Sequence, residues 1–420
     1  MRIWLLKIGE APAVLDKKLR PMRMTLLAEA LQGRGHTVTW WMSTFTHGAS
    51  TFTASSETPL TSSSGVRVHL LPSRGYKRHL SLARVIEHRR TAAQFSQRAL
   101  AEEQPDIILS ALPTIELCSA AAAYARATNV PLVIDVRDWW PDALALSMPR
   151  LIRPIVRAAV FPLQRQVSQA FRTAAAVTGI TDEFVDWGVA KSGRKRGALD
   201  RAFPFGYPEE VMGEVDRATA TSFWKEKGLT LSTKEPIIAF AGTFGRAHDI
   251  PVVLRAAELL EQRGSPARFV LCGSGERLQD YRSRAASMKN VLLPGWVSRA
   301  QLHALLERAA VAVNCVPLRD DYLNSINNKP AEYLRFGLPL VVSPGESVLG
   351  RLVEESACGL TVPHGQADKL ADALEEIINT DQLRSEMMRQ SRALYERQFQ
   401  AGTVYRGMAM HLEQVVGASK

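Results

Sequence analysis

Short, continuously apolar runs alternate with amphipathic stretches along almost the whole chain. Strand-like runs fall at 2–7, 36–41, 66–71, 106–111, 131–135 and 174–179, and again at 236–242, 268–273, 290–295, 311–316, 339–343 and 359–362. Between them, apolar positions recur at helical spacing over 22–32, 80–103, 251–262, 299–309, 366–378 and 381–399. Strands that are apolar throughout are buried on both faces, and the intervening helices supply the cover. The pattern predicts an α/β fold of two doubly wound, Rossmann-like domains, which would face each other across a cleft. Segment 191–234 breaks the alternation, is rich in Gly, Pro, Lys and Arg, and reads as the carrier of the linker. In doubly wound sheets ligands sit beyond the carboxyl ends of the strands, so the residues directly after each strand are where chemistry is sought.

A length of 420 residues fits two domains. The apolar stretch Ile3-Trp4-Leu5-Leu6 is too short for a secretory core, and no window approaches eighteen uncharged apolar residues. Cys118, Cys272, Cys315 and Cys358 are widely separated without zinc-ligand spacing, and the first three lie in apolar runs. Together these features predict a cytoplasmic protein that spans no membrane. Charge changes the picture more. The chain has 52 Lys plus Arg against 42 Asp plus Glu, a net +10, and residues 1–200 alone hold 26 basic and 16 acidic side chains. The whole excess therefore lies in the first half. That asymmetry points to an anionic partner of one domain, either a membrane surface or a nucleic acid.

Three stretches in the second half carry candidate chemistry. Gly242-Thr243-Phe244-Gly245-Arg246 closes a strand and precedes a helix. Small residues let backbone N–H groups approach a phosphate there, yet an ordinary turn needs the same glycines. Gly273-Ser274-Gly275-Glu276 repeats the arrangement one strand later, and no Gly-x-Gly-x-x-Gly occurs anywhere. The third stretch runs from Asn324 through Asn327-Asn328-Lys329-Pro330-Ala331-Glu332 to Gly337. Pro330 fits the first turn of a short helix ending at Gly337. Lys329 at its N-terminus makes a diphosphate site, and Glu332 is placed to accept ribose hydroxyls. The plainer alternative is a solvated i,i+3 pair.

With Gly295-Trp296-Val297, these stretches resemble the carboxyl-terminal domain of the family 4 retaining glycosyltransferases, which have the GT-B fold. The resemblance covers nearly the whole chain, including 26–38 and Asp135-Val136-Arg137-Asp138-Trp139-Trp140-Pro141-Asp142. It is nearest to the subgroup of O-antigen, capsule and exopolysaccharide assembly that includes N-acetyl-fucosamine-type transferases. The resemblance implies an acceptor-binding domain over 1–205, a donor-binding domain over 206–394, and a terminal helix, 395–420, returning to the first domain. It implies transfer of a hexose or N-acetylhexosamine from a nucleotide diphosphate sugar, UDP-linked, to a polyprenyl-diphosphate-linked or other glycan acceptor. No cofactor or metal is implied, and the sequence has no Asp-x-Asp motif.

The implied catalytic set is Asp138, Arg246, Lys329 and Asn324. Donor contacts fall to Gly242, Thr243, Phe244, Gly245, Gly273 and Ser274, to Trp296 or Val297 for the base, to Asn327 and Asn328 for the sugar, and to Glu332 for the ribose. The family's Glu–seven–Glu motif falls on Asn324 and Glu332, so its first carboxylate is an amide here. Arg246 and His248 stand where Arg and Lys are usual. Gly9, Glu10 and Arg137 are implied on the acceptor side, and Lys17 and Lys18 lie in the same loop; taken singly, Glu10, Lys17 and Lys18 read first as solvated loop charges.

The basic excess concentrates in two segments. Over 150–172, Arg150, Arg153, Arg157, Arg165 and Arg172 fall within roughly 120° at helical spacing, with Ile152, Ile155, Val156, Leu163 and Val167 mainly on other faces. This fits a helix at a membrane interface, or a core-packed helix with a solvated basic face; Pro162 kinks it in either case. Segment 74–98 adds Arg74, Lys77, Arg78, Arg84, Arg89, Arg90 and Arg98. Both suit anionic lipid at the inner face of the plasma membrane. Rival classes are a nonhydrolysing sugar-nucleotide epimerase, whose His and acidic residues are not placed here, and a catalytically silent sugar-binding paralogue, suggested by Asn324. Nucleic acid is not expected as a partner, because no binding motif accompanies the charge.

Overall fold

Each predicted apolar run forms a strand in the computed structural model, which describes residues 1–16, 19–46, 51–52, 59–76, 81–232 and 235–419. The chain divides into two compact units, Met1–Pro204 with Gly402–Lys420, and Phe205–Ala401.

In the first unit the strand order is Arg201–Ala202, Ala176–Gly179, Leu132–Val136, Ile107–Leu112, Arg2–Leu6, Thr37–Ser43, Arg67–Leu71 and Leu60–Thr61. All neighbours are parallel except the last pair. Central strands such as Ile107–Leu112 and Leu132–Val136 are buried along their whole length, which is why they read as unbroken apolar runs. Trp4 and Trp41 meet edge to face at 5.3 Å, and Phe95 closes on Trp41 at 5.1 Å. The second unit repeats the plan in the order Val291–Gly295, Arg268–Cys272, Ile237–Ala241, Ala309–Cys315, Leu340–Ser343 and Gly359–Thr361, wholly parallel.

Three expectations need correction. Segment 191–234 does carry the division between the units, at Pro204/Phe205, but it does not break the alternation throughout, because Glu214–Glu226 is a helix whose Ala220 and Trp224 are buried in the second unit's core. Its remaining apolar positions do not fall on one face, with Val215 80% exposed and Phe223 partly buried, so no clear apolar stripe shows at helical spacing. The return to the first unit comes at Ala401/Gly402 rather than at 395. Tyr395–Phe399 forms a π-helical turn whose Tyr395 and Phe399 are buried in the second unit, and Tyr395 Oη donates to the Tyr207 carbonyl at 2.9 Å. Beyond it, Glu413 of helix Ala401–Ala418 takes Arg34 in a bidentate pair, both contacts 2.8 Å, and lies 2.7 Å from His36 Nε2.

The third correction concerns 150–172, which is two helices, Arg153–Ala159 and Phe161–Thr173, each with Pro in its first turn. The first buries no residue, and Leu151, Ile155 and Phe161 are 92%, 70% and 60% exposed. Arg153 leaves the basic face, donating to the Met148 and Leu146 carbonyls at the end of helix Asp142–Leu146. Among the described residues, no helix is long and apolar enough to cross a membrane.

Candidate active site

In the second unit the strand order reverses between Ile237–Ala241 and Ala309–Cys315, and turn 242–246 leaves the sheet at that switch point. The glycines here serve a close approach of two turns. A Cβ on Gly273 would lie 1.8 Å from the Gly242 carbonyl oxygen, and one on Gly275 would lie 2.3 Å from that of Phe244. Phe244 N donates to the Ser274 carbonyl at 2.9 Å, and the Phe244 carbonyl accepts from Arg277 N at 3.0 Å. The Phe244 ring is fully buried, 5.9 Å from Phe240 and 5.8 Å from Tyr281. Phe244 is therefore a core residue that locks the turn, not a donor contact as expected. Thr243 and Arg246 are exposed on the same turn, and among the described residues their side chains make no hydrogen bond or ion pair. His248 does not supply the second cation. Burial first, and the Lys329 charge second, push it down to about 4, so it is neutral at pH 7.

Helix Asn328–Arg335 starts at the Asn327 cap, whose Oδ1 accepts from Lys329 N at 2.9 Å, and Gly337 follows it with φ +68°. Lys329 and Glu332 do form the i,i+3 pair, Nζ to Oε2 2.9 Å, but the pair is not solvated: Glu332 is 1% exposed. Its other oxygen accepts from Tyr207 Oη at 2.7 Å, and that hydroxyl is 2.8 Å from His303 Nε2. Tyr333 Oη accepts from Ala241 N at 2.7 Å, tying this helix to the strand end before Gly242. Lys329 is consequently close enough to the turn for its charge to act on His248 and Cys272. The sequence reading missed Tyr207, His303 and Tyr333; Tyr207 sits in Pro204-Phe205-Gly206-Tyr207-Pro208, which reads as linker.

Asn324 ends the short helix Asp320–Leu323, and its Nδ2 donates to the Asp320 carbonyl at 2.8 Å. Trp296, directly after strand Val291–Gly295, is 72% exposed, whereas Val297 packs against the core. Ser274 is exposed on its turn.

In the first unit Glu10, expected either in contact with acceptor or in a solvated loop, is buried. Its Oε1 accepts from Met24 N and Thr25 N at 2.9 and 3.2 Å, capping helix Arg23–Gly33, and its Oε2 accepts from Arg137 Nη1 at 3.2 Å. Arg137 also donates to Asp135 at 2.7 Å, and Asp135 takes both ends of the Arg23 guanidinium at 2.9 and 3.0 Å. Glu10 and Arg137 are thus parts of a buried ionic network. Lys17 and Lys18 lie outside the described residues, as do Lys77 and Arg78.

Asp138 does reach a cavity, of about 490 Å³, lined also by Lys7, Gly9, Arg84, His88 and Trp140. It lies beyond the carboxyl ends of strands Arg2–Leu6 and Ile107–Leu112, where this sheet also reverses its order. Arg84 sits 4.8 Å over the Trp140 ring. Asp142, by contrast, is structural, accepting from Lys191, Trp187 and Gln164. Among the described residues no three His, Cys, Asp or Glu side chains gather as a metal site.

Two family models match the chain, a glycosyl transferase 4-like domain over residues 22–199 and glycosyl transferases group 1 over 235–380, together 324 of 420 residues. The alpha-D-kanosaminyltransferase of Streptomyces kanamyceticus is 24% identical over 283 residues, which are 64% of this chain and 68% of that one. Among solved structures, sucrose-phosphate synthase from Thermosynechococcus elongatus superposes with a TM-score of 0.72 at 16% identity, covering 99% of both chains. Anabaena HepE in complex with UDP superposes with a TM-score of 0.66 at 13% identity, over 98% of this chain and 99% of that one. With both halves matched and two doubly wound sheets in place, the chain belongs to the family 4 glycosyltransferases and has their GT-B fold.

Proposed function

We propose that the protein moves a hexose or N-acetylhexosamine, with retention, from a UDP-linked sugar to a polyprenyl-diphosphate-linked or other glycan acceptor in cell-surface polysaccharide synthesis. The observation that carries this reading is Lys329, fixed by buried Glu332 beside two interlocked glycine turns at the switch point of the second sheet. As the sugar–phosphate bond breaks, charge develops on the departing diphosphate. Lys329, exposed Arg246 and the N–H groups at the start of helix Asn328–Arg335 would bear it, with no metal ion required. Asn324, Asn327 and Asn328 would hold the sugar, and Trp296 would stack on the base. The UDP bound to Anabaena HepE supports the choice of nucleotide.

A thermal-shift screen of nucleotide sugars tests this. UDP or its sugar at a hundred times Kd adds about 2.7 kcal/mol and is expected to raise Tm by roughly 5–10 °C. Trp296→Ala is expected to weaken UDP binding about tenfold, the scale of one base–aromatic stack. A screen in which no nucleotide diphosphate shifts the transition sinks the reading.

The acceptor's lipid would lie at a membrane surface engaged by Leu151, Ile155 and Phe161 together with exposed Arg150, Arg157 and Arg165. Sedimentation with phosphatidylglycerol vesicles at low salt is expected to capture the wild type, and Leu151→Ser/Ile155→Ser/Phe161→Ser to escape. Equal capture of both removes the surface from the proposal.

A further inference from the structure

The cavity of the first unit has one charged group left over. Among its lining residues, the Glu87 carboxylate accepts from Arg74 N at 3.0 Å, His88 faces Glu116 at 3.6 Å, and Arg84 covers Trp140. Asp138 is also partnered. Lys7 is the exception: among the described residues its Nζ makes no hydrogen bond and no ion pair. It directly follows strand Arg2–Leu6 at the switch point, and its backbone is fixed by Trp41, to which its N–H donates, and by Trp40 Nε1, which donates to its carbonyl.

The groups whose charges act on Lys7 are Arg137, Glu10, Cys118 and Arg84. Glu10 is the one native carboxylate among them, and it is already committed to two helix N–H groups and to Arg137. Cys118 is neutral, its thiol pushed up to about 12 by burial. None of these groups gives Lys7 a hydrogen bond or an ion pair. Burial first, and Arg137 second, bring Lys7 down to about 8, so at neutral pH it is still protonated and held without a counter-ion. Arg137, whose charge acts on Lys7, has a buried Nη2 without a hydrogen-bond partner, though it is not among the residues that line the cavity. An ammonium that lines a cavity and lacks an acceptor is a place for an anion.

We propose that this cavity receives the acceptor and that Lys7 reads a negatively charged phosphate or carboxylate on it, close to the hydroxyl that is glycosylated. The inference rests on the transferase reading above and names its acceptor class: an anionic glycan unit, not a neutral one. A cavity of about 490 Å³ lies within the range of roughly 300–1,000 Å³ usual for small-molecule sites.

The test uses the full chain and four probes, glucose, glucose 6-phosphate, glucuronate and farnesyl phosphate, followed by quenching of tryptophan fluorescence, since Trp140 lines the cavity. At least one anionic probe is expected to bind about tenfold or more tighter than glucose. Lys7→Gln is expected to remove that preference and Lys7→Arg to keep most of it. UDP binding, measured on the same samples, should not change. Preference for glucose 6-phosphate or glucuronate places the charge on the sugar; preference for farnesyl phosphate places it on the lipid; either supports the proposal. If the wild type binds all four alike, or if Lys7→Gln folds and keeps the preference, the proposal is overturned. If UDP itself fails to bind the wild type, the transferase reading falls instead.

Discussion

Replacing Asp135 by asparagine is expected to destabilise the first unit by about 3–5 kcal/mol, the cost of removing one partner from a buried ion pair. Asp135 is fully buried at the end of strand Leu132–Val136 and accepts from Arg23, Arg137 and Thr178. An asparagine would turn an N–H₂ toward guanidinium donors and leave Arg23, 2% exposed, without its counter-charge. The effect should extend past the pair, because Arg23 Nη1 also donates to the Phe203 and Pro204 carbonyls, at 2.8 and 2.9 Å, where the chain leaves this unit. For a unit of this size the loss corresponds to roughly 10 °C in Tm, read by thermal unfolding of the full chain.

The pH dependence gives the same prediction a second readout. Burial alone would raise the Asp135 carboxyl, but the charges and hydrogen bonds of Arg23 and Arg137 outweigh it and hold the group well below the usual carboxylate range. A carboxyl depressed on folding contributes stability above its unfolded value, near 3.8, and loses it as pH falls through the folded value. The gap between wild type and Asp135→Asn should thus be constant from pH 7 to about pH 5 and narrow only below about pH 4. A gap that closes near pH 6 would show that a histidine, not Asp135, governs the network.

The strands were legible because both faces of each sheet are covered, which leaves continuous apolar runs that no surface helix imitates. Single-residue roles were less legible, since they depend on what meets the residue from far along the chain. Phe244 in a glycine-rich turn has the same local pattern whether it faces a ligand or the core, and only Tyr281 and Phe240 decide it. Glu10 looks like a loop charge until helix Arg23–Gly33 begins against it. Lys329 and Glu332 were legible as a pair from their spacing, but not as a buried one, because burial is imposed by Tyr207 and His303, 125 and 29 positions upstream of Glu332. The helix Glu214–Glu226 was hidden because its apolar residues do not mark one side: Ala220 and Trp224 are buried and Phe223 partly so, while Val215 is exposed.

The largest expected loss of activity comes from Glu332→Gln. The amide keeps the shape and can still accept from Tyr207 Oη, but it removes the negative charge that holds Lys329 Nζ at 2.9 Å. Lys329 is then free to turn away from the turn after Ile237–Ala241, and developing charge on the diphosphate loses a fixed cation. Loss of one such placed donor costs about 10²–10³ in kcat, and that is the expected fall in transfer. Lys329→Ala should cost a similar factor. If Glu332 acts by fixing Lys329, the double variant should be little worse than either single one, a coupling of about 3–4 kcal/mol between two groups in contact. If Glu332 instead acts on the ribose independently of Lys329, the two effects multiply and UDP affinity falls with Glu332→Gln alone. A double-mutant cycle on kcat and on UDP affinity separates the two roles. The fully buried position of Glu332, with both oxygens already accepting hydrogen bonds, favours the first.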